Sequence, residues 1–332
     1  MTGRLVEAGN TEKKDPALTT TTAAVTDTAA ARRRATLVGL GAVLLWSLLA
    51  PLAVGAGDVP PFLLTGLAFL IGGGLGLAAQ VTLGRGGVGA ALRVPPVAWA
   101  LGVGGFFGYH LAYFSAMRLL PPVEALLIIN TWPLLIILLT ALLPGERLLP
   151  RHLLGGLLGL AGTALIVLGR DNGGDAGAVP RTALGYLLAV AAALIWSGYS
   201  VLNRRLTPDV PTDAVTGFCL ATGLLALLAH AFLEPTVLPS GNGWLAVLAL
   251  GLGPVGAAFY LWDHGTKRGD LRTLGASAYA APLIGTLLLV LLGHGRPSLA
   301  LLVAALLIVG GALLASGYLF RPPAAQGSGR AR

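Results

Sequence analysis

A few polar and aromatic side chains lie inside stretches that are otherwise apolar, and their spacing is that of a helix. Phe106, Tyr109, His110, Tyr113 and Met117 succeed one another at steps that place them on one helical stripe. A phenol or imidazole in hydrocarbon is costly without a hydrogen-bond partner, so the stripe faces either a cavity or a neighbouring helix with which it bonds. Asn130-Thr131-Trp132-Pro133 forms a second polar interruption, and Trp196, Tyr199, Ser200 and Asn203 form a third. Phe259, Tyr260, Ser277 and Tyr279 add to them further along the chain. The candidate substrate-binding set is Tyr109, His110, Tyr113, Asn130, Trp132, Trp196, Tyr199 and Ser277. Its chemistry is non-covalent recognition of an amphipathic ligand. Tyr109, Tyr113, Trp132 and Trp196 would enclose an aromatic or apolar body, while His110, Asn130 and Ser277 would hold its polar groups.

Other chemistries lack their residues. The chain has no phosphate-cradling glycine loop followed by Lys, no paired His or Cys at metal-ligand spacing and no Gly-x-Ser-x-Gly nucleophile turn. Its one cysteine, Cys219, excludes a disulfide framework and a cysteine-rich metal site. The expectation is therefore a protein without catalytic residues, cofactor or metal. Glu124, just after Pro121-Pro122, reads as a solvated carboxylate near a membrane interface, and His110 is the one deep group able to titrate near neutral pH. Whether transport is coupled to protons stays open at this level.

The elements that hold these residues follow from composition. Of 332 residues, 55% are hydrophobic and 11% charged, which places the chain among integral membrane proteins. A spanning helix takes roughly 20 apolar residues. Dividing the chain at charged and Pro/Gly-rich breaks predicts ten, over 36–56, 61–83, 97–118, 121–143, 150–169, 182–205, 212–233, 243–264, 270–293 and 297–320. Four prolines inside them, Pro51, Pro133, Pro254 and Pro282, each leave a carbonyl one turn earlier without its donor and are expected to bend their helices around a central site. Trp46, Trp132 and Trp196 lie too deep to be interfacial anchors, whereas Trp99, Trp244, Trp262 and Tyr318 sit where anchors belong. The 48 glycines, about twice the usual share of roughly 7%, suit close helix packing.

Of the 22 basic residues, 18 fall on one side of such a ten-helix chain and 4 on the other, which puts both termini in the cytoplasm of a bacterial inner membrane. The net charge of +8 is spread over short loops and not gathered on one face, so nucleic acid is not an expected partner. Small-molecule substrates and the lipid bilayer are, with a monomer favoured. Leu44-Leu45-Trp46-Ser47 returns as Leu194-Ile195-Trp196-Ser197, Pro133 as Pro282 and Gly162 as Gly311, all displaced by about 150 positions. Because five is odd, a five-plus-five duplication gives halves of inverted topology. The expected organisation is a disordered cytoplasmic tail over 1–35, a first repeat over 36–170, an external linker over 171–181, a second repeat over 182–320 and a cytoplasmic tail over 321–332.

These residues resemble the drug/metabolite transporter superfamily in its EamA-type, ten-helix branch. The resemblance is carried by Trp46-Ser47, by the Pro133 helix followed by Gly145-Glu146 and a glycine-rich fifth helix, and by their echo in the second half. Tyr260-Leu261-Trp262-Asp263-His264-Gly265-Thr266-Lys267-Arg268-Gly269-Asp270, followed by Leu274-Gly275 and Pro282, is similar to an aromatic amino acid exporter group of that superfamily. The resemblance implies an inverted-repeat basket with a central cavity that exports aromatic amino acids and related compounds by alternating access. It points to Tyr109, His110, Tyr113, Trp132, Trp196 and Ser277 as cavity residues. One departure is Gly293-His294-Gly295-Arg296, where no glutamate answers Glu146. A broad-specificity exporter of drugs and metabolites is the alternative within transport; a membrane-embedded enzyme or non-transporting sensor is the alternative outside it.

Overall fold

In the computed structural model of the chain, residues 16–84, 89, 93–168, 182–293 and 297–316 are described, and every regular element among them is helical. In chain order these are α1 (Pro16–Trp46), α2 (Leu49–Gly55), α3 (Pro61–Thr82), α4 (Pro96–Leu119), α5 (Pro122–Ile129), α6 (Trp132–Leu139), α7 (Pro150–Leu168), α8 (Ala183–Leu206), α9 (Val215–Leu233), α10 (Gly243–Leu252), α11 (Ala258–Arg268), α12 (Leu271–Ala278), α13 (Ala280–Leu291) and α14 (Leu299–Ser316). A wide π turn, Gly253–Ala257, joins α10 to α11. Prolines at the first helical positions of α3, α4 and α5 start those helices, where a missing N–H costs nothing.

Seven helical segments among the described residues are long and apolar enough to cross a membrane: Ala29–Gly55, Pro61–Thr82, Glu124–Leu142, Ala183–Leu206, Thr212–Leu233, Gly243–Arg268 and Leu271–Leu291. The remaining long helices, α4, α7 and α14, pack among them. The Tyr109-His110-Tyr113 stripe lowers the hydropathy of α4. Exposed leucines recur at helical spacing on outward faces, as with Leu184, Leu187 and Leu194 on α8 and Leu299, Leu302 and Leu306 on α14. Such apolar stripes are at home in lipid and not in water.

The helices pair in a definite pattern. α3 lies along α9, α7 along α14, α4 along α8 and α1 along α11. Glycines set several of these approaches. A Cβ at Gly66 would stand 2.6 Å from Leu227, and one at Gly73 would stand 2.7 Å from Leu220, so α3 and α9 meet backbone against side chain in both halves of the crossing. The main core gathers Phe69, Phe106, Trp196, Phe218, Phe259 and Trp262 between α3, α4, α8, α9 and α11.

The helix that precedes the first break runs over Pro16–Trp46, and the apolar segment that includes it begins at Ala29. One expectation is corrected. Trp262, expected at an interface, is fully buried, because α11 continues to Arg268 and carries its last turn into a cluster of polar contacts. Residues 1–15 of the expected tail, the linker 171–181, Tyr318 and the tail 321–332 lie outside the described residues.

Candidate binding cavity

Each interior proline stands beside an interruption of its helix. Pro51 follows the break at Ser47-Leu48, Pro133 the break at Asn130-Thr131 and Pro282 the break at Tyr279, while Pro254 lies in the π turn. A proline removes the donor for the carbonyl one turn back, and the backbone answers by breaking or widening there. Side chains take up some of the freed groups. Ser47 Oγ donates to the Leu44 carbonyl at 2.5 Å, whose regular donor, the Leu48 N–H, bonds Leu45 instead; Thr131 Oγ1 and Asn130 Nδ2 add second bonds to the Ile128 and Leu126 carbonyls at 2.7 and 2.8 Å. Across the two breaks, the Leu134 N–H donates to the Tyr279 hydroxyl at 3.2 Å.

The breaks surround a cavity of ≈ 250 Å³. Trp46, Tyr109, His110, Trp132, Trp196 and Phe259 supply its aromatic wall, Asn130 and Tyr279 its polar wall, and Pro133, Pro254 and Pro282 its corners. The aromatic rings form one connected layer. The Trp46 ring lies 4.9 Å from that of Trp262, 5.7 Å from that of Trp196 and 6.3 Å from that of Trp132, and Trp196 stacks on Trp262 at 6.4 Å. Such pairs each contribute about 0.5–1.5 kcal/mol beyond the area they bury. The layer is held from beneath. Trp262 Nε1 donates to Ser200 Oγ at 3.1 Å, which fixes the central ring of the floor.

Beyond that floor lies a dense cluster of paired polar groups. Asp263, with no exposed surface, accepts from Asn203 Nδ2 at 2.7 Å and Thr212 Oγ1 at 2.8 Å and pairs with Lys267 at 2.9 Å. Further out, the single carboxylate of Glu146 receives three arginines from three helices: Arg32 of α1 at 2.9 Å, Arg204 of α8 at 3.2 Å and Arg272 of α12 at 2.7 Å. Asp270 caps α12 through the N–H groups of Arg272 and Thr273. Burial opposes its ionisation, but the Thr273 N–H together with Arg32 and Arg272 more than offsets this, holding its carboxyl below the ordinary range. From Arg32 to Trp46 is about 21 Å along α1 at roughly 1.5 Å per residue. Aromatic and ionic layers thus fill that depth on one side of the cavity, while its lining extends the other way to Leu49, Tyr113 and Leu126.

Six of the eight candidate residues come together here: Tyr109, His110, Tyr113, Asn130, Trp132 and Trp196 all line the cavity. Two do not. Tyr199 is buried behind Phe106 with its hydroxyl 3.5 Å from Asp263, one helical turn past Trp196 and already within the polar cluster. Ser277 precedes the break at Tyr279, which resets the helix phase and turns Ala278, Tyr279, Ala281 and Pro282 inward in its place. Trp46, Phe259 and Tyr279 line the cavity although the candidate set omits them; their aromatic character at mid-helix was the available signal.

The EamA-like transporter family model matches the chain twice, over residues 33–168 and 183–317. The chain is 55% identical over 282 residues to the aromatic amino acid exporter YddG of Ancylobacter novellus, covering 85% of this chain and 96% of that one. It is 27% identical over 296 residues to the aromatic amino acid exporter YddG of Escherichia coli, with the same coverage of 85% and 96%. A solved structure described only as that of a protein superposes with a TM-score of 0.80 at 53% identity, covering 87% of this chain and 100% of its own. A helical membrane protein with a cavity at its helix breaks and two matches to one transporter model, the chain belongs to the EamA-like transporter family.

Proposed function

We propose that this protein exports aromatic and other apolar amino acids and related amphipathic metabolites across the bacterial inner membrane by alternating access. The observation that carries the reading is the cavity itself: seven aromatic side chains, Trp46, Tyr109, Tyr113, Trp132, Trp196, Phe259 and Tyr279, around a volume of ≈ 250 Å³ with no lysine, arginine or acidic residue in its lining among the described residues. Such walls suit an aromatic or apolar body. Two half-helix starts, at Trp132 of α6 and Ala280 of α13, adjoin the cavity with their partial positive ends and suit the substrate carboxylate. The ammonium group falls to the neutral acceptors. The names of the two relatives support the same substrate class.

The membrane architecture belongs to the same proposal: ten spanning helices in two inverted halves, with α1/α2, α3, α4, α5/α6 and α7 answered by α8, α9, α10/α11, α12/α13 and α14. The double match of the family model supports it. So does the pairing pattern, since exchanging the halves returns α3 with α9 and α7 with α14 to themselves and turns α4 with α8 into α11 with α1. Individual contacts follow the exchange. Gly66 against Leu227 maps onto Leu220 against Gly73 at a displacement of 154. At that displacement Gln80 maps onto Glu234, and each reaches the start of the opposite helix: Gln80 Nε2 bonds Thr216 at 2.7 Å, and Glu234 accepts from the Phe62 N–H at 3.0 Å. With the charge asymmetry placing both termini in the cytoplasm, the ionic end is the cytoplasmic one, and the structure corresponds to an outward-facing state.

Purified protein in liposomes loaded with labelled phenylalanine or tryptophan tests the assignment. We expect saturable efflux down the gradient, slowed by unlabelled aromatic amino acids. Loaded vesicles that leak no faster than protein-free ones would remove the amino acid assignment.

A further inference from the structure

A proline cannot donate to the carbonyl one turn earlier in its helix. Pro51, Pro133, Pro254 and Pro282 therefore leave the carbonyls of Ser47, Ile129, Leu250 and Ala278 each one donor short. Only for Pro133 and Pro282 do both the ring and the residue one turn back line the central cavity. Pro254 lines it without Leu250, and Ser47 lines it without Pro51. In the two helices that carry Pro133 and Pro282, the missing rung thus adjoins the cavity.

Ile129 and Ala278 are also the last residues of α5 and α12, helices of eight residues each, where carbonyls without a helical donor carry the partial negative end of the helix dipole. Among the described residues no side chain donates to either carbonyl, although Asn130 and Thr131 reach the neighbouring Leu126 and Ile128 carbonyls. The two breaks therefore have the same order of charge. A negative end at Ile129 or Ala278 is followed within three residues by a positive one, at Trp132 of α6 or Ala280 of α13. An ammonium brings three N–H donors and has to find acceptors, while the lining holds no acid among the described residues. The side-chain nitrogens nearby are partly spent, Asn130 Nδ2 on Leu126 and His110 Nδ1 on Phe106. Backbone carbonyls that proline keeps open are acceptors whose place is set by the helix and not by a side-chain torsion.

We infer that the Ile129 and Ala278 carbonyls are the acceptors for the substrate ammonium, and that Pro133 and Pro282 serve recognition by withholding an N–H from them. The inference rests on the amino acid assignment of the central cavity and names the atoms that recognise that substrate. The probes are labelled phenylalanine, phenethylamine, which keeps the ammonium and lacks the carboxylate, and 3-phenylpropionate, which keeps the carboxylate and lacks the ammonium. Each is equilibrated with the full chain in phosphatidylcholine nanodiscs. Pro133→Ala and Pro282→Ala each return an N–H to the carbonyl. A hydrogen bond to a charged group is worth roughly tenfold or more, so each substitution should weaken phenylalanine and phenethylamine about tenfold and leave 3-phenylpropionate within about twofold. Pro254→Ala, whose carbonyl partner Leu250 lies outside the lining, should leave the ratio of the phenylalanine and 3-phenylpropionate affinities as it is. Equal weakening of all three probes by Pro133→Ala and Pro282→Ala would show that the prolines act through shape alone and would overturn the inference, as would affinities that neither substitution changes. A loss confined to one substitution would strike out the other carbonyl. Wild-type protein that binds phenethylamine but not phenylalanine would remove the amino acid assignment while the carbonyls are still tested; binding of neither would overturn both.

Discussion

His110 shows how a polar ring is prepared inside an apolar helix. Its Nδ1 lies 2.7 Å from the Phe106 carbonyl oxygen, which only accepts, so Nδ1 carries a proton, and a neutral ring offers its Nε2 as an acceptor in a residue that lines the cavity. His110→Phe keeps a flat ring and deletes that acceptor. A hydrogen bond to a charged group is worth about 1.5–3 kcal/mol, so phenylalanine, tryptophan and methionine should all lose roughly ten- to a hundredfold in affinity, by a similar factor each, in equilibrium binding to purified protein. Trp196→Ala should act differently, weakening the aromatic substrates more than methionine because it removes part of the wall. A reversal of these two patterns would reassign the residues. The residue types were legible in the sequence, since Tyr109, His110 and Tyr113 violate the apolar rule of their helix at helical spacing. What sequence could not supply was rotation beyond a break. Trp196 and Tyr199 share a stripe, yet one turn of rise carries Tyr199 from the cavity to Asp263, and Ser277 loses its place to Tyr279 because the helix phase resets between them.

At the scale of the element, the breaks at Asn130-Thr131 and Tyr279 are tied to each other. Tyr279 accepts from the Leu134 N–H, a donor that a continuous helix would have spent on Asn130, and it lies against Gly159 of α7, where a Cβ would stand 2.3 Å from its ring. Gly159→Leu therefore has to displace Tyr279 and strip Leu134 of its acceptor. Overpacking of this kind costs about 1–3 kcal/mol, so thermal unfolding in detergent should move down by several degrees, and Tyr279→Ala in the same chain should restore part of the loss. An equal loss in the double variant would show that the two positions are not coupled. The prolines announced the breaks, because a missing donor acts through the chain alone. The partner that answers the Leu134 N–H, the Tyr279 hydroxyl, comes from a distant helix, and no local pattern in the sequence names it.

For the whole molecule, one end is closed by charge. Glu146 is the shared counterion of Arg32, Arg204 and Arg272, with its side chain 12% exposed, so Glu146→Gln leaves three partly buried guanidinium groups facing one another. The closed arrangement should weaken. In a Cys219→Ser background, a cysteine introduced by Ser200→Cys should react with a hydrophilic thiol reagent several-fold faster when Glu146→Gln is also present; an unchanged rate would assign closure to the tryptophan layer instead. The sequence reveals this end only statistically, through the 18-to-4 bias of its basic residues, because that bias sorts charges by side without saying which arginine meets which acid. The crossing of α3 with α9 has a consequence of another kind. Its two tight contacts, Gly66 with Leu227 and Gly73 with Leu220, join positions that correspond under one displacement, so each half contributes one glycine and one leucine to the same fit. Neither half is at liberty to drift alone: a bulkier residue accepted at either glycine calls for a smaller one in the other half. On the duplication proposed above, the two copies are thereby bound to change in step at this crossing long after the rest of their sequences have parted.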